Sequence, residues 1–154
     1  LELPWHSWCR EALLGNPKLI IVDEPTAGLD PYERRRFHNL LAEIGKDVIV
    51  ILSTHIVDDV SNLCANMAII DKGKILIQTD PGEIIKEFEG KIWEKDITGV
   101  VMESFEKEYR VVSTRLFAGK NIVRIYSDVV PQDDFKPVDP ILEDVYFFTL
   151  SNQS

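Results

Sequence analysis

Leu19-Ile20-Ile21-Val22-Asp23-Glu24-Pro25-Thr26-Ala27-Gly28-Leu29-Asp30-Pro31 is the stretch from which the fold is read. Four consecutive apolar residues run directly into two carboxylates. A short apolar run closed by a turn signal has the length and composition of a strand buried on both faces, as in a parallel sheet. Pro25 has no N–H to give to a ladder and helps end it. Asp23 and Glu24 then stand at the carboxyl end of a buried strand, the edge where open α/β sheets bind ligands. Two adjacent acids there can divide the work. One can hold a hard cation such as Mg²⁺, usually through water; the other can polarise an attacking water. Phosphoryl transfer uses both, because its catalysis is mostly positioning and charge neutralisation. Taken alone, the Asp-Glu pair reads more readily as an acidic turn after a core strand.

A helix is specified next. Asp30 can cap it, Pro31 suits its first position, and Glu33 sits where a capping box wants an acid. Phe37, Leu40, Leu41 and Ile44 form the i, i+3, i+4, i+7 stripe of a core-facing helix, and Gly45 stops it. His38 lies off the stripe and reads as a surface residue. Asp47 to Ser53 is a second buried strand, rich in β-branched residues. Strand, helix and strand in this order make a βαβ unit with parallel pairing. This strand runs into Ser53-Thr54-His55, so both strands deliver polar residues to one edge. His55 taken alone reads as a hydrogen-bonded structural residue.

The unbroken string from Leu19 to Pro31 resembles the Walker B strand, catalytic glutamate and D-loop of the ATP-binding cassette (ABC) ATPases. The resemblance implies that Asp23 serves Mg²⁺ through water and that Glu24 is the general base. It makes Ala27-Gly28-Leu29-Asp30 the D-loop, with Gly28 and Asp30 meeting nucleotide across a dimer, and places Ser53 at the nucleotide edge. Ser53-Thr54-His55 is similar to the family's switch loop, which implies that His55 contacts the γ-phosphate and orients the attacking water. The implied fold is α/β, part of a P-loop NTPase (RecA-like) parallel sheet with flanking helices. The implied cofactors are ATP and Mg²⁺. The implied partners are a transmembrane permease and a second ATPase subunit, packed head to tail. The implied location is cytoplasmic, peripheral on the inner face of the cell membrane through the permease.

The chain has 154 residues, enough for one sizeable core or two small ones, and acids outnumber bases 26 to 17 for a formal charge of −9. That balance argues against nucleic acid as a partner. Arg34-Arg35-Arg36 reads as a solvated helix face. Cys9 and Cys64 have no paired spacing, which excludes a disulfide framework or a zinc site and fits a reducing cytoplasm. No apolar run approaches a membrane span, and the start does not read as a signal peptide, so work at a membrane would need a partner.

Residues 1–10 show no clear period. In the resembled family a glycine signature precedes the Walker B strand at a near-fixed distance. Counting back from Asp23 puts it near Leu1 and Glu2, where no glycine occurs. Residues 1–10 are read as a cloning scar, a shifted reading frame or a truncated gene start, with genuine divergence as the alternative. From Glu11 the resemblance holds, so 11–90 is expected to be the C-terminal half of the nucleotide-binding domain.

Ile56 to Ala65 reads as a helix with Val57, Val60, Leu63 and Cys64 on one face. Cys64 is taken as a small buried hydrophobe, and Asp58 and Asp59 as solvated acids that complement the helix dipole. Met67 to Ile77 reads as a hairpin turning at Lys72-Gly73. Asp80-Pro81-Gly82-Glu83 opens a helix with Ile84, Ile85 and Phe88 inward, stopped by Gly90.

Residues 91–154 are expected to form a small α+β accessory domain. It would hold a strand over Ile92–Ile97, a short helix over Val101–Tyr109 and a hairpin around Ala118-Gly119-Lys120-Asn121. An extended Pro131–Pro140 connection then leads to a last helix, Ile141–Leu150, with Tyr146, Phe147 and Phe148 as core. Its Ile141-Leu142-Glu143-Asp144-Val145-Tyr146 segment resembles the endings of ATPase subunits from ABC-2-type exporters.

The sequence contains no G-x-x-x-x-G-K-[ST], so it has no backbone nest or lysine to cradle β- and γ-phosphates. The expectation is an exporter ATPase subunit present without its phosphate loop and signature loop, binding ATP weakly or not at all by itself. A non-enzymatic dimerisation or regulatory module is the alternative. A soluble ABC ATPase of translation or DNA repair is a third reading, disfavoured by the acidic balance and the exporter-like ending.

Overall fold

The computed structural model describes residues 15–99, 102–132 and 134–152, leaving out the side chains of 102–104. The readings for residues 1–10, the Glu11–Leu14 helix end and Cys9 therefore lie outside the described residues. The fold is mixed α/β. The chain divides into two compact units, Leu1–Leu63 and Cys64–Ser154.

In the first unit, β1 (Leu19–Asp23) pairs in parallel with β2 (Ile49–Ser53), with Leu19 opposite Ile49 and Asp23 opposite Ser53. The crossover contains α1 (Pro31–Ile44). Asp30 caps it, its Oδ1 accepting from Glu33 N–H at 2.8 Å, and Pro31 occupies the first turn. Phe37 is fully buried and Leu41 nearly so. They pack with Leu29, Leu40, Val50, Leu52 and Leu63. Leu63 comes from α2 (Val57–Leu63), shorter than the Ile56–Ala65 span read from sequence.

Burial on both faces of the strands is corrected. Ile20 and Val22 are buried, but Leu19, Ile21, Ile49 and Ile51 are 48–69% exposed. Side chains alternate along a strand, so the register puts these four on the face opposite Val50 and Leu52. The cluster around Phe37 covers one face only. Continuous apolar runs can reflect two buried faces, but among the described residues only one is covered.

The second unit opens with a hairpin of β3 (Met67–Asp71) and β4 (Lys74–Thr79), bulged between Ile69 and Ile70. Lys72 and Gly73 both take positive φ, 46° and 76°, the turn geometry whose twist matches the flanking strands. Next comes α3 (Pro81–Glu87), capped by Asp80 Oδ1, which accepts from Gly82 and Glu83 N–H.

A four-stranded antiparallel sheet in the order β6-β7-β5-β8 follows. It is formed by β5 (Ile92–Asp96), β6 (Arg110–Phe117), β7 (Lys120–Tyr126) and the short β8 (Lys136–Pro137). Pro137 sits in an edge strand, where a missing N–H costs least. α4 (Met102–Glu108) and α5 (Leu142–Ser151) complete the unit. Trp93, Ile97, Phe105, Val123 and Ile125 form its core, with Tyr109, Val111 and Phe135 packed against them. Phe88, Tyr126 and Phe148 form a second aromatic group, with ring centroids 4.3–5.4 Å apart.

The reading of Tyr146, Phe147 and Phe148 as core needs correction: Phe147 is 41% exposed, and Tyr146 and Phe148 are only half-buried. No helix among the described residues is long and apolar enough to cross a membrane.

A buried ion pair ties α5 to the sheet. Arg124 on β7 lies 3.1 Å from Asp144 Oδ2, with exposures of 8% and 0%. Arg124 also donates to Asp139 O at 2.7 Å. Asp144 Oδ2 accepts from Ile141 N–H at 2.9 Å and closes the first turn of α5. Burial pushes the Asp144 carboxyl above its usual range, against the opposing pull of the Ile141 N–H and Arg124.

Candidate functional site

The parallel register does most of the construction. Asp23 and Ser53 end their strands side by side, and the Ser53 hydroxyl donates to Asp23 Oδ1. The ladder continues one residue further, Glu24 N–H donating to Ser53 O at 2.9 Å. Glu24 then leaves the strand direction with φ at +45°. A non-glycine residue in the left-handed region is uncommon, and here the departure accompanies a side chain aimed across to the β2 loop.

Glu24 Oε1 accepts from the backbone N–H of His55 at 2.9 Å. Glu24 Oε2 lies 2.8 Å from His55 Nδ1, close enough for an ion pair, though without the alignment of a hydrogen bond. Both carboxylate oxygens are thus turned to one residue of the neighbouring loop. The His55 side chain is 75% exposed and Glu24 35% exposed, so the pair faces solvent at the strand ends.

Asp23, Glu24, Ser53 and His55 are therefore gathered at one edge. Gly28 and Asp30 lie on the turn that follows. Gly28 takes φ +76°, a conformation costly for a residue with a Cβ. Asp30 Oδ1 is spent on the α1 cap.

The donor set at the edge suits a hard cation. Asp23 offers a carboxylate beside a hydroxyl, and oxygen ligands of this kind hold Mg²⁺ together with water and substrate phosphates. Among the described residues no group of three His, Cys, Asp or Glu side chains could hold a metal. Mg²⁺ at one carboxylate would draw its remaining ligands from water and phosphate.

A second polar group lies behind the first. Asp59 on α2 is 1% exposed, so its reading as a solvated acid is corrected. Its Oδ2 accepts from Thr26 Oγ1. Its Oδ1 accepts from Arg34 Nε at 2.7 Å and lies 2.9 Å from His38 Nε2. His38 and Arg34 are likewise corrected: both are drawn in toward this carboxylate, while Arg35 and Arg36 stay exposed. Burial raises the Asp59 carboxyl, but hydrogen bonds from Thr26 and Arg34, with charge from Arg34 and His38, outweigh it and leave the group below its usual range.

The sequence did carry a signal for this. Ile56, Asp59, Val60 and Leu63 have i, i+3, i+4, i+7 spacing, so Asp59 lies on an apolar stripe where a charge requires partners.

The sequence is similar to curated ATP-binding proteins. Over 132 residues it is 30% identical to the energy-coupling factor transporter ATP-binding protein EcfA2 of Enterococcus faecalis, covering 82% of this chain and 41% of that protein. Over 80 residues it is 35% identical to the Nod factor export ATP-binding protein I of Mesorhizobium japonicum, covering 51% and 24%. Over 60 residues it is 43% identical to ABC transporter A family member 8 of Dictyostelium discoideum, covering 39% and 7%. The chain spans less than half the length of each of these relatives. No family model matches it.

Proposed function

We propose that this chain, a member of the ABC transporter ATP-binding proteins, supplies the hydrolytic edge of an ATPase subunit that powers a separate membrane permease. One observation carries the reading. Glu24 accepts a hydrogen bond from the backbone N–H of His55 and lies against its ring, beside the Asp23–Ser53 pair.

In this reading Glu24 takes the proton from the attacking water. His55 holds the Glu24 carboxylate and faces the γ-phosphate. Asp23, with Ser53 beside it, would hold Mg²⁺ through water. The cation would neutralise charge on the β- and γ-phosphates. Gly28 and Asp30 present the D-loop to a second ATPase subunit packed head to tail.

Residues 11–90 are the C-terminal half of a nucleotide-binding domain with a RecA-like parallel sheet. Residues 91–154 are an α+β accessory domain. The transport direction is export, supported by the Leu142-Glu143-Asp144-Val145 segment and by a relative named for Nod factor export. The subunit works at the cytoplasmic face of the membrane through its permease. Because the 154 residues contain no phosphate-binding loop, that cradle comes from a further segment.

ATP turnover tests the proposal. The 154-residue chain alone should show no turnover above background. Supplied with a segment bearing a phosphate-binding loop, it should hydrolyse Mg·ATP, and Glu24→Gln should reduce the rate by at least about a hundredfold, as expected for loss of a general base. Unchanged turnover in Glu24→Gln refutes the assignment of Glu24. Turnover by the chain alone refutes the need for an added cradle.

A further inference from the structure

Asp59 stands where the two loops of the candidate site are tied to the helices behind them. Thr26 lies two residues after Glu24, and Asp59 four residues after His55. The turn after β1 therefore meets the segment after β2 at two places: Glu24 against His55 at the exposed edge, and Thr26 against Asp59 in the interior. The two carboxylate oxygens of Asp59 are divided. Oδ2 takes the Thr26 hydroxyl, and Oδ1 takes Arg34 and His38 from α1.

An ionised carboxylate is acceptor-only, so it can satisfy donors on both sides at once. Thr26 is 3% exposed. Charge-assisted hydrogen bonds shielded from water are the strong ones. A residue needed only to anchor α2 against α1 would be served by Arg34 and His38. The second oxygen on Thr26 extends the anchor to the turn that carries Glu24.

We propose that Asp59 is a positioning residue: through Thr26 it holds the turn after β1 so that the Glu24 carboxylate stays on His55. The catalytic meaning of that pair rests on the ATPase reading above, but the mechanical link does not. The interior clamp takes up freedom that the left-handed Glu24 backbone and its exposed side chain would otherwise have.

Amide hydrogen exchange of the full 154-residue chain, followed by NMR without nucleotide, tests the link. The His55 N–H, which donates to Glu24 Oε1, is the reporter. The Ile49 N–H, which donates to Lys18 O at 3.0 Å at the far end of the same ladder, is the reference. Glu24→Ala removes the acceptor and sets the unprotected His55 rate. Thr26→Val keeps shape and removes the hydroxyl. Thr26→Ser restores a hydroxyl. Asp59→Ala removes the anchor itself.

The expected result is His55 exchange about tenfold faster, relative to Ile49, in Thr26→Val and Asp59→Ala, the order of one charge-assisted hydrogen bond. Thr26→Ser should stay close to the parent. A purely structural ion pair would accelerate both amides together or neither, and that outcome overturns the proposal. Unchanged His55 exchange in Glu24→Ala also overturns it, because the pair would then not hold in solution. If Asp59→Ala does not fold, Thr26→Val against Thr26→Ser decides. Failure here removes the link and leaves the ATPase reading standing, whereas failure of that reading appears only in turnover.

Discussion

Replacing Asp144 by Asn should destabilise the second unit by about 3 kcal/mol, the lower end of the cost of breaking a buried ion pair from one side. The lower end applies because Arg124 keeps its bond to the Asp139 carbonyl. Asn can still accept the Ile141 N–H, so the cap is retained and the loss is that of the charge opposite a guanidinium only 8% exposed. For a unit of this size that corresponds to a fall in Tm of about 12 °C.

The paired replacement Arg124→Met with Asp144→Leu removes both charges. It should lie within about 1 kcal/mol of the parent, since apolar groups of similar volume avoid the desolvation cost while the cap is lost. Urea unfolding is followed through Trp93, a core residue whose Nε1 donates to Ser127 O at 3.2 Å. Trp5→Phe and Trp8→Phe make it the only tryptophan. If Asp144→Asn stays within 1 kcal/mol of the parent, or the double variant is as unstable as the single, the pair is not desolvated as described here.

Phe37→Ala empties the centre of the first unit and should cost about 3–5 kcal/mol, measured by denaturant midpoint; a cost below about 1 kcal/mol would mean that the cluster around it does not form. Asp30→Ala removes the α1 cap and should cost about 1 kcal/mol with little change in far-UV circular dichroism. The lowered Asp59 carboxyl makes first-unit stability depend on pH. Its contribution is fully present above the unfolded value of 3.8 and is lost as pH falls through its lower folded value. An acid titration of first-unit stability should therefore flatten in Asp59→Asn.

Much of the first unit was legible because its signals are local. Four apolar residues ended by Pro25, the Asp30-Pro31 start and the Phe37–Leu41 stripe each follow from chemistry within a few residues. The same holds for the Lys72-Gly73 turn and the Asp80 cap. Candidate residues were likewise legible at chain ends of strands: Asp23, Glu24, Ser53 and His55 come together because parallel pairing aligns the ends of β1 and β2. The burial of Asp59 is not legible from apolar periodicity alone, because an acid in the first turn of a helix equally fits a solvated residue that complements the dipole. The inward turn of Arg34 and His38 is not legible either, since their partner is far away in sequence.

The sequence by itself determined roughly where most strands and helices start and stop, though not β8 (Lys136–Pro137), and which polar residues fall at the strand ends, since capping, turn geometry and side-chain alternation act over a few bonds. It also determined kinship with ABC ATP-binding proteins, through an unbroken motif. Only the tertiary structure decided that both carboxylate oxygens of Glu24 turn to His55 and that, among the described residues, one face of β1 and β2 is left uncovered. It alone decided that Asp59 and Asp144 are buried with distant basic partners. The physical reason is common to all three: burial and ion pairing depend on which segments meet in space, and an isolated carboxylate carries no local mark of whether it will meet water or a guanidinium.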